Sequence, residues 1–138
     1  MLLQTGESTG LSAARNVGIA AARSELLAFI DSDDMIEATY LEKGAWFLAT
    51  HLDCTMVNAY SFGFGSYKQY LHSNGFHNDS AMLLQNMVTV HVIVRKEAVV
   101  EVQGFNETIV GGYEDWDLWI KLFEAGYTGY TMEEYLIW

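Results

Sequence analysis

Apolar and polar positions along this chain change rhythm several times, and each change marks a predicted element. Residues 10–23 are rich in alanine at helical spacing behind Ser12, which predicts a helix with Ser12 as its N-cap. The run Leu26-Leu27-Ala28-Phe29-Ile30 is apolar throughout and bounded by charge, as expected of a short strand buried on both faces. It breaks off at Asp31-Ser32-Asp33-Asp34, and residues 39–50 return to helical character. Helix, buried strand, acidic loop and helix together predict an α/β domain with a parallel sheet. Residues 55–75 mix aromatics with glycines and suggest irregular strands and loops, while residues 87–95 read as another strand. A short helix over 96–102 should stop at Gly104, a last helix over about 114–125 should close at Gly126, and a strand should follow near 127–132. Residues 2–5 could supply a strand leading into the first helix.

Length and composition narrow the picture. The 138 residues are 51% hydrophobic and 14% aromatic, too apolar for a disordered chain and enough for one domain with a core. Eighteen acidic against seven basic residues give a net charge of −11, which argues against nucleic acid as a partner. No apolar run reaches the roughly 18 residues of a transmembrane segment, and the first ten residues lack a signal-peptide pattern, so the expected location is cytoplasmic. The single Cys54 lies in an apolar run and reads as a small buried hydrophobe.

Five of the seven aspartates fall in two windows, Asp31/Asp33/Asp34 and Asp115/Asp117. The first follows a buried strand, where open α/β sheets bind ligands, and its mutual repulsion would be relieved by Mg²⁺ or Mn²⁺, which favour oxygen ligands. An Asp-rich turn that caps the next helix is the structural alternative. In the second window, Asp115 shares a helix face with Leu118, Trp119 and Leu122, whereas Asp117 faces Lys121 one turn away. Asp115 should therefore point inward, ionised at the positive end of its helix and available as a base. Glu114 falls between the two faces. Arg15 sits three residues after Ser12, where a cation opposes the helix dipole, so either a phosphate or a neighbouring carboxylate should balance it. His51, His72, His77 and His91 lack zinc-ligand spacing and read as structural or surface residues, His77 beside Asp79 being a mild exception. Trp116, Trp119, Phe123 and Tyr127 recur at helical spacing and read as core, while Phe62, Phe64, Tyr67 and Tyr70 could stack on a ligand.

Four blocks, in order, resemble the family 2 glycosyltransferases of the GT-A fold: residues 10–19 (Gly-Leu-Ser-Ala-Ala-Arg-Asn-Val-Gly-Ile), 29–34 (Phe-Ile-Asp-Ser-Asp-Asp), 104–107 (Gly-Phe-Asn-Glu) and 114–119 (Glu-Asp-Trp-Asp-Leu-Trp). The resemblance implies a mixed, mainly parallel sheet flanked by helices, and transfer of a sugar from a nucleotide-diphosphate donor to an acceptor hydroxyl with inversion. It implies Mn²⁺ or Mg²⁺ held in the acidic turn by Asp33 together with either Asp34 or Asp31, substrate binding by Arg15, Asp31 and Glu114, and Asp115 as the base. A carbohydrate or lipid-linked acceptor and work at the inner face of the membrane go with it. The strand, helix and strand that open the family's domain do not precede Met1. Residues 1–138 are therefore expected to form a partial GT-A domain cut at both ends, with an open sheet edge suited to self-association. A truncated, non-catalytic binding or assembly module is the competing reading. A haloacid dehalogenase-like phosphatase, with Asp31 as nucleophile and Asp33 as acid/base, fits less well, because Met35 stands where that pattern favours Thr or Val. An EF-hand fails because Met35 and Ile36 occupy positions that need an oxygen ligand and glycine.

Overall fold

The computed structural model describes residues 10–65, 68–71, 76, 81–86 and 88–138. The element order is α1 (Leu11–Ala21), β1 (Leu26–Ala28), α2 (Tyr40–Thr50), β2 (Met56–Gly63), β3 (Gln69–Leu71), α3 (Ala81–Leu84), β4 (Ile93–Arg95), α4 (Lys96–Glu101), α5 (Glu114–Glu124) and β5 (Gly129–Ile137). The expected strand at residues 2–5, together with Tyr67, His72, His77 and Asp79, lies outside the described residues.

Four expectations need adjustment. The N-cap of α1 is Gly10, at φ 89°, so the helix begins two residues earlier than a Ser12 cap would allow and Ser12 is buried in its first turn. β1 is shorter than expected and only Leu27 in it is buried, because among the described residues it pairs with β4 alone and stands at the end of the sheet. The region expected to be irregular contains the eight-residue strand β2, buried along most of its length. Conversely, the strand expected over 87–95 is a ladder only at Ile93–Arg95; the preceding 88–92 stretch bends away from it.

The sheet is mixed. β4 lies between β1 and β2 and is antiparallel to both, while β5 runs parallel to β2 on its other edge from Met56↔Gly129 to Ser61↔Ile137. β3 pairs antiparallel with the far end of β2. Thus β1, β2 and β5 share one direction, but β1 and β2, joined through α2, are separated by a strand contributed from later in the chain.

Each face of the sheet carries a helical layer. On one side Leu118, Trp119 and Leu122 of α5 and Ala98 and Val99 of α4 pack with Ile19, Leu27, Met56 and Val94. On the other, Tyr40 and Leu48 of α2 pack with Val57, Ala59, Ile93, Met132 and Leu136. Each fully buried Leu, Val or Met contributes about 1.5–3 kcal/mol. Cations hold helix ends to the sheet: Arg95 donates to the carbonyls of Leu48 and Cys54, and Lys96 to that of Ala22. Cys54 is buried and unpaired, as expected.

Two helix stops shape the route to the site. α5 ends in paired bonds from Gly126 N–H to Phe123 O and from Tyr127 N–H to Leu122 O, the Schellman arrangement expected at Gly126. α4 ends in the same way one residue before the predicted Gly104, with Gln103 in the left-handed region at φ 65°. Gly104 follows at φ 65°, and a Cβ there would stand 2.5 Å from Asn16 Oδ1.

Candidate active site

The residue that draws the distant motifs together is Arg15, on the second turn of α1. Its guanidinium donates to Glu114 Oε1 at 2.6 Å and to Asp31 Oδ1 at 2.8 Å, and lies 5.2 Å from the centre of the Phe105 ring. The guanidinium therefore joins the turn after β1 to the start of α5, its Glu114 partner lying 99 positions away from it in sequence. Carboxylates balance Arg15, as one of the two sequence readings foresaw. The Phe105 ring is fixed in turn, edge-on to Phe29 at 5.1 Å.

Asn16, the next residue along α1, grips the Gly104 block. Its amide donates to Phe105 O and Glu107 Oε1, and its oxygen accepts the Phe105 N–H at 2.9 Å. Three of the four sequence blocks are thus tied to one helix by adjacent side chains. Sequence reasoning did not single out Asn16 or Phe105; an Asn inside an Ala-rich helix, where its propensity is poor, was the available signal.

These contacts border an open cleft of about 540 Å³, lined on its polar side by Arg15, Asp31, Asn86, His91, Glu114 and Asp115. It lies at the carboxyl ends of β1 and β2, where Asp31 and Ser61 fall. Three carboxylates and one arginine line it, so an anionic ligand would need a further positive charge.

α5 presents its first turn to this cleft. Tyr113, its N-cap, is held at φ 71°, a strained conformation for a bulky residue directly before the acidic pair. As the periodicity predicts, Leu118, Trp119 and Leu122 are buried and Asp117 pairs with Lys121 at 3.4 Å. Glu114, which fell between the two faces, is buried by its ion pair with Arg15. Asp115 is half-buried in the cleft wall and accepts the Trp116 N–H at 2.7 Å. The Asn86 amide stands 3.3 Å from both of its oxygens. Burial pushes the Asp115 carboxyl pKa up, with the Glu114 charge adding to the shift; the Trp116 N–H, the Asn86 amide and the Arg15 charge pull the other way. Desolvation thus outweighs the helix end that was expected to favour its ionised form.

The acidic turn separates its members. Asp31 is held by Arg15, Asp33 is exposed, and Asp34 Oδ2 lies 2.9 Å from His91 Nε2. Among the described residues no three His, Cys, Asp or Glu side chains converge as a metal cluster. His91, read from the sequence as structural or surface, is buried and lines the cleft. His51 stacks on Phe47 at 4.1 Å, away from the cleft. Phe62 and Tyr70 meet with ring centroids 4.6 Å apart at a tilt of 54°, outside the cleft lining.

Residues 2–108 match the model of the family described as glycosyl transferase family 2, and the chain belongs to that family. Over 94% of its length it is 26% identical to a Bacillus subtilis (strain 168) protein named as the teichuronic acid biosynthesis glycosyltransferase TuaG, of which it covers 52%. Over 37 residues it is 62% identical to a protein of the same organism named as the glycosyltransferase EpsH, covering 11% of it. The chain therefore spans about half or less of the curated relatives it matches. Among solved structures, S. aureus TarS, residues 1–349, superposes over 97% of this chain with a TM-score of 0.73 at 18% identity, covering 41% of TarS. A TarS complex with UDP superposes equally well. These likenesses establish the GT-A fold and set the phosphatase and EF-hand readings aside. Among the described residues no helix is long and apolar enough to cross a membrane.

Proposed function

We propose that this protein transfers a sugar from a nucleoside-diphosphate donor to an acceptor hydroxyl, with inversion at the anomeric carbon. The observation that carries the reading is the Arg15 clasp, which brings the turn containing Asp33 and the turn containing Asp115 to one cleft in a member of glycosyl transferase family 2. A UDP complex of a protein sharing the fold supports a nucleotide donor. The name of TuaG, a glycosyltransferase of teichuronic acid biosynthesis, supports a carbohydrate acceptor.

Asp115 is the base. Its raised pKa makes its carboxylate a stronger proton acceptor, and Asn86 and the Trp116 N–H fix its oxygens toward the cleft. It takes the proton of the acceptor hydroxyl as the oxygen attacks the anomeric carbon opposite the departing diphosphate, and that single displacement inverts the centre. Arg15 keeps Glu114 and Asp31 from repelling one another and fixes the spacing of the two acidic turns.

The acidic cleft suits a divalent cation that takes one or two protein ligands and the rest from phosphate and water. Asp33 and Asp34 would hold Mn²⁺ or Mg²⁺, which when bound supplies positive charge to the diphosphate leaving group. Titration of the purified protein with UDP, with and without Mn²⁺, tests the donor half of the proposal. Metal-dependent binding that disappears in Asp33→Ala supports it, and no binding by the folded protein overturns it. Transfer lost in Asp115→Asn while UDP binding persists supports the base. Binding without transfer in the unaltered protein would favour a binding module.

A further inference from the structure

His91 is not accounted for by the mechanism above. Its side chain is 7% exposed and lines the cleft, and Nε2 is buried with no hydrogen-bond partner among the described residues. Nevertheless Nε2 lies 2.9 Å from Asp34 Oδ2. An imidazolium paired with a carboxylate at that distance ordinarily gains most of its energy from an aligned N–H···O bond, and here the alignment is absent. Two atoms bound at adjacent corners of an octahedral cation, with bonds of about 2.0–2.1 Å, stand roughly 2.9 Å apart without any hydrogen bond between them.

The surroundings of the ring fit the same arrangement. Nδ1 lies 3.4 Å from Thr89 Oγ1, which can accept its proton and leave the Nε2 lone pair free toward Asp34. The backbone of His91 is fixed by Tyr40, whose fully buried hydroxyl donates to His91 O at 2.9 Å. That tyrosine is part of the α2 core, so the ring is held by the body of the fold.

We propose that His91 Nε2 is a direct protein ligand, beside Asp34, of the divalent cation that accompanies the nucleoside diphosphate. The proposal rests on the metal-dependent reading above and adds a nitrogen to a site expected to consist of carboxylates. One imidazole with the one or two carboxylates of the acidic turn still leaves the coordination shell incomplete, so tight binding requires the diphosphate oxygens as well. Nitrogen ligation favours Mn²⁺ over Mg²⁺, whose preference is for oxygen.

The test is electron spin-echo envelope modulation of Mn²⁺ bound to the protein with UDP, after labelling histidine with ¹⁵N so that uracil nitrogens are excluded. Coupling to a histidine nitrogen is expected in the unaltered protein, lost in His91→Gln and retained in His51→Gln. Mn²⁺ affinity in the presence of UDP should fall at least about tenfold in His91→Gln, and the preference for Mn²⁺ over Mg²⁺ should shrink. A Mn²⁺–UDP complex without histidine coupling, or with coupling unchanged in His91→Gln, overturns the assignment and leaves His91 as an ion-pair partner of Asp34. Absence of any Mn²⁺–UDP complex overturns the metal reading itself. Should His91→Gln fail to fold by circular dichroism, the coupling in the unaltered protein still decides the matter: its presence with a second variant, Asp34→Asn, weakening Mn²⁺ supports the site, and its absence refutes it.

Discussion

Asp115, the proposed base, works against stability in its charged form. Its pKa is raised in the folded protein, so the fold favours the protonated carboxyl; that contribution is fully present below the ordinary Asp value near 3.9 and is lost as pH rises through the folded value. At neutral pH the ionised carboxylate is therefore a net cost. Asp115→Asn should be as stable as the unaltered protein near pH 3.5 and more stable at pH 7, a difference that urea unfolding at the two pH values would measure, while transfer falls by several orders of magnitude. Gln103 carries a cost of another kind. It stops α4 in a left-handed conformation that favours glycine, and Gln103→Gly should stabilise the protein by about 1 kcal/mol, read as a shift of the urea midpoint at constant slope. Neither effect is visible in composition, since both depend on backbone and burial at one position.

At the scale of elements, α1 matters through two adjacent polar side chains more than through its apolar face. Arg15→Leu would leave Glu114 buried without its cation and should cost about 3 kcal/mol, mostly recovered in the double variant Arg15→Leu/Glu114→Gln. Thermal unfolding of the four proteins in that cycle would separate the pair from its members. Gly104→Ala meets both a positive φ and the Asn16 oxygen, and a loss of about 1–3 kcal/mol is expected, with hydrogen exchange at Phe105 N–H accelerating as the Asn16 clamp loosens. The periodicity of α5 was readable because an amphipathic helix writes its buried face every three or four residues; Leu118, Trp119, Leu122 and the Asp117–Lys121 pair all follow it. The burial of Glu114 was not readable, because it depends on a guanidinium 99 residues away. β1 misled in the other direction. Its run of apolar residues looked like a strand enclosed on both faces, yet its place at the end of the described sheet leaves Ala28 and Ile30 exposed.

For the whole molecule, the cleft carries three carboxylates against one arginine, and its charge has a measurable consequence. A nucleoside diphosphate alone should stabilise the protein little, whereas UDP with Mn²⁺ at a hundred times the dissociation constant should add about 2.7 kcal/mol, seen as a rise in Tm that EDTA reverses. The opposite result, equal stabilisation with and without the cation, would place the diphosphate against Arg15 alone.

The sequence by itself determined the class of fold, the family and the identity of the acidic motifs, because helical periodicity, an apolar run ending in aspartates and four short blocks are all local properties of the chain. It also determined which aspartate of the second motif turns inward, since helix geometry fixes relative facing once the helix exists. Tertiary structure decided the rest. The insertion of β4 between β1 and β2, the choice of carboxylates as partners for Arg15, the clamp of Asn16 on Phe105 and the meeting of His91 with Asp34 all join residues far apart in the chain. Such pairings are set by how layers pack and by which buried charge finds an opposite one, and no local pattern of residues encodes either.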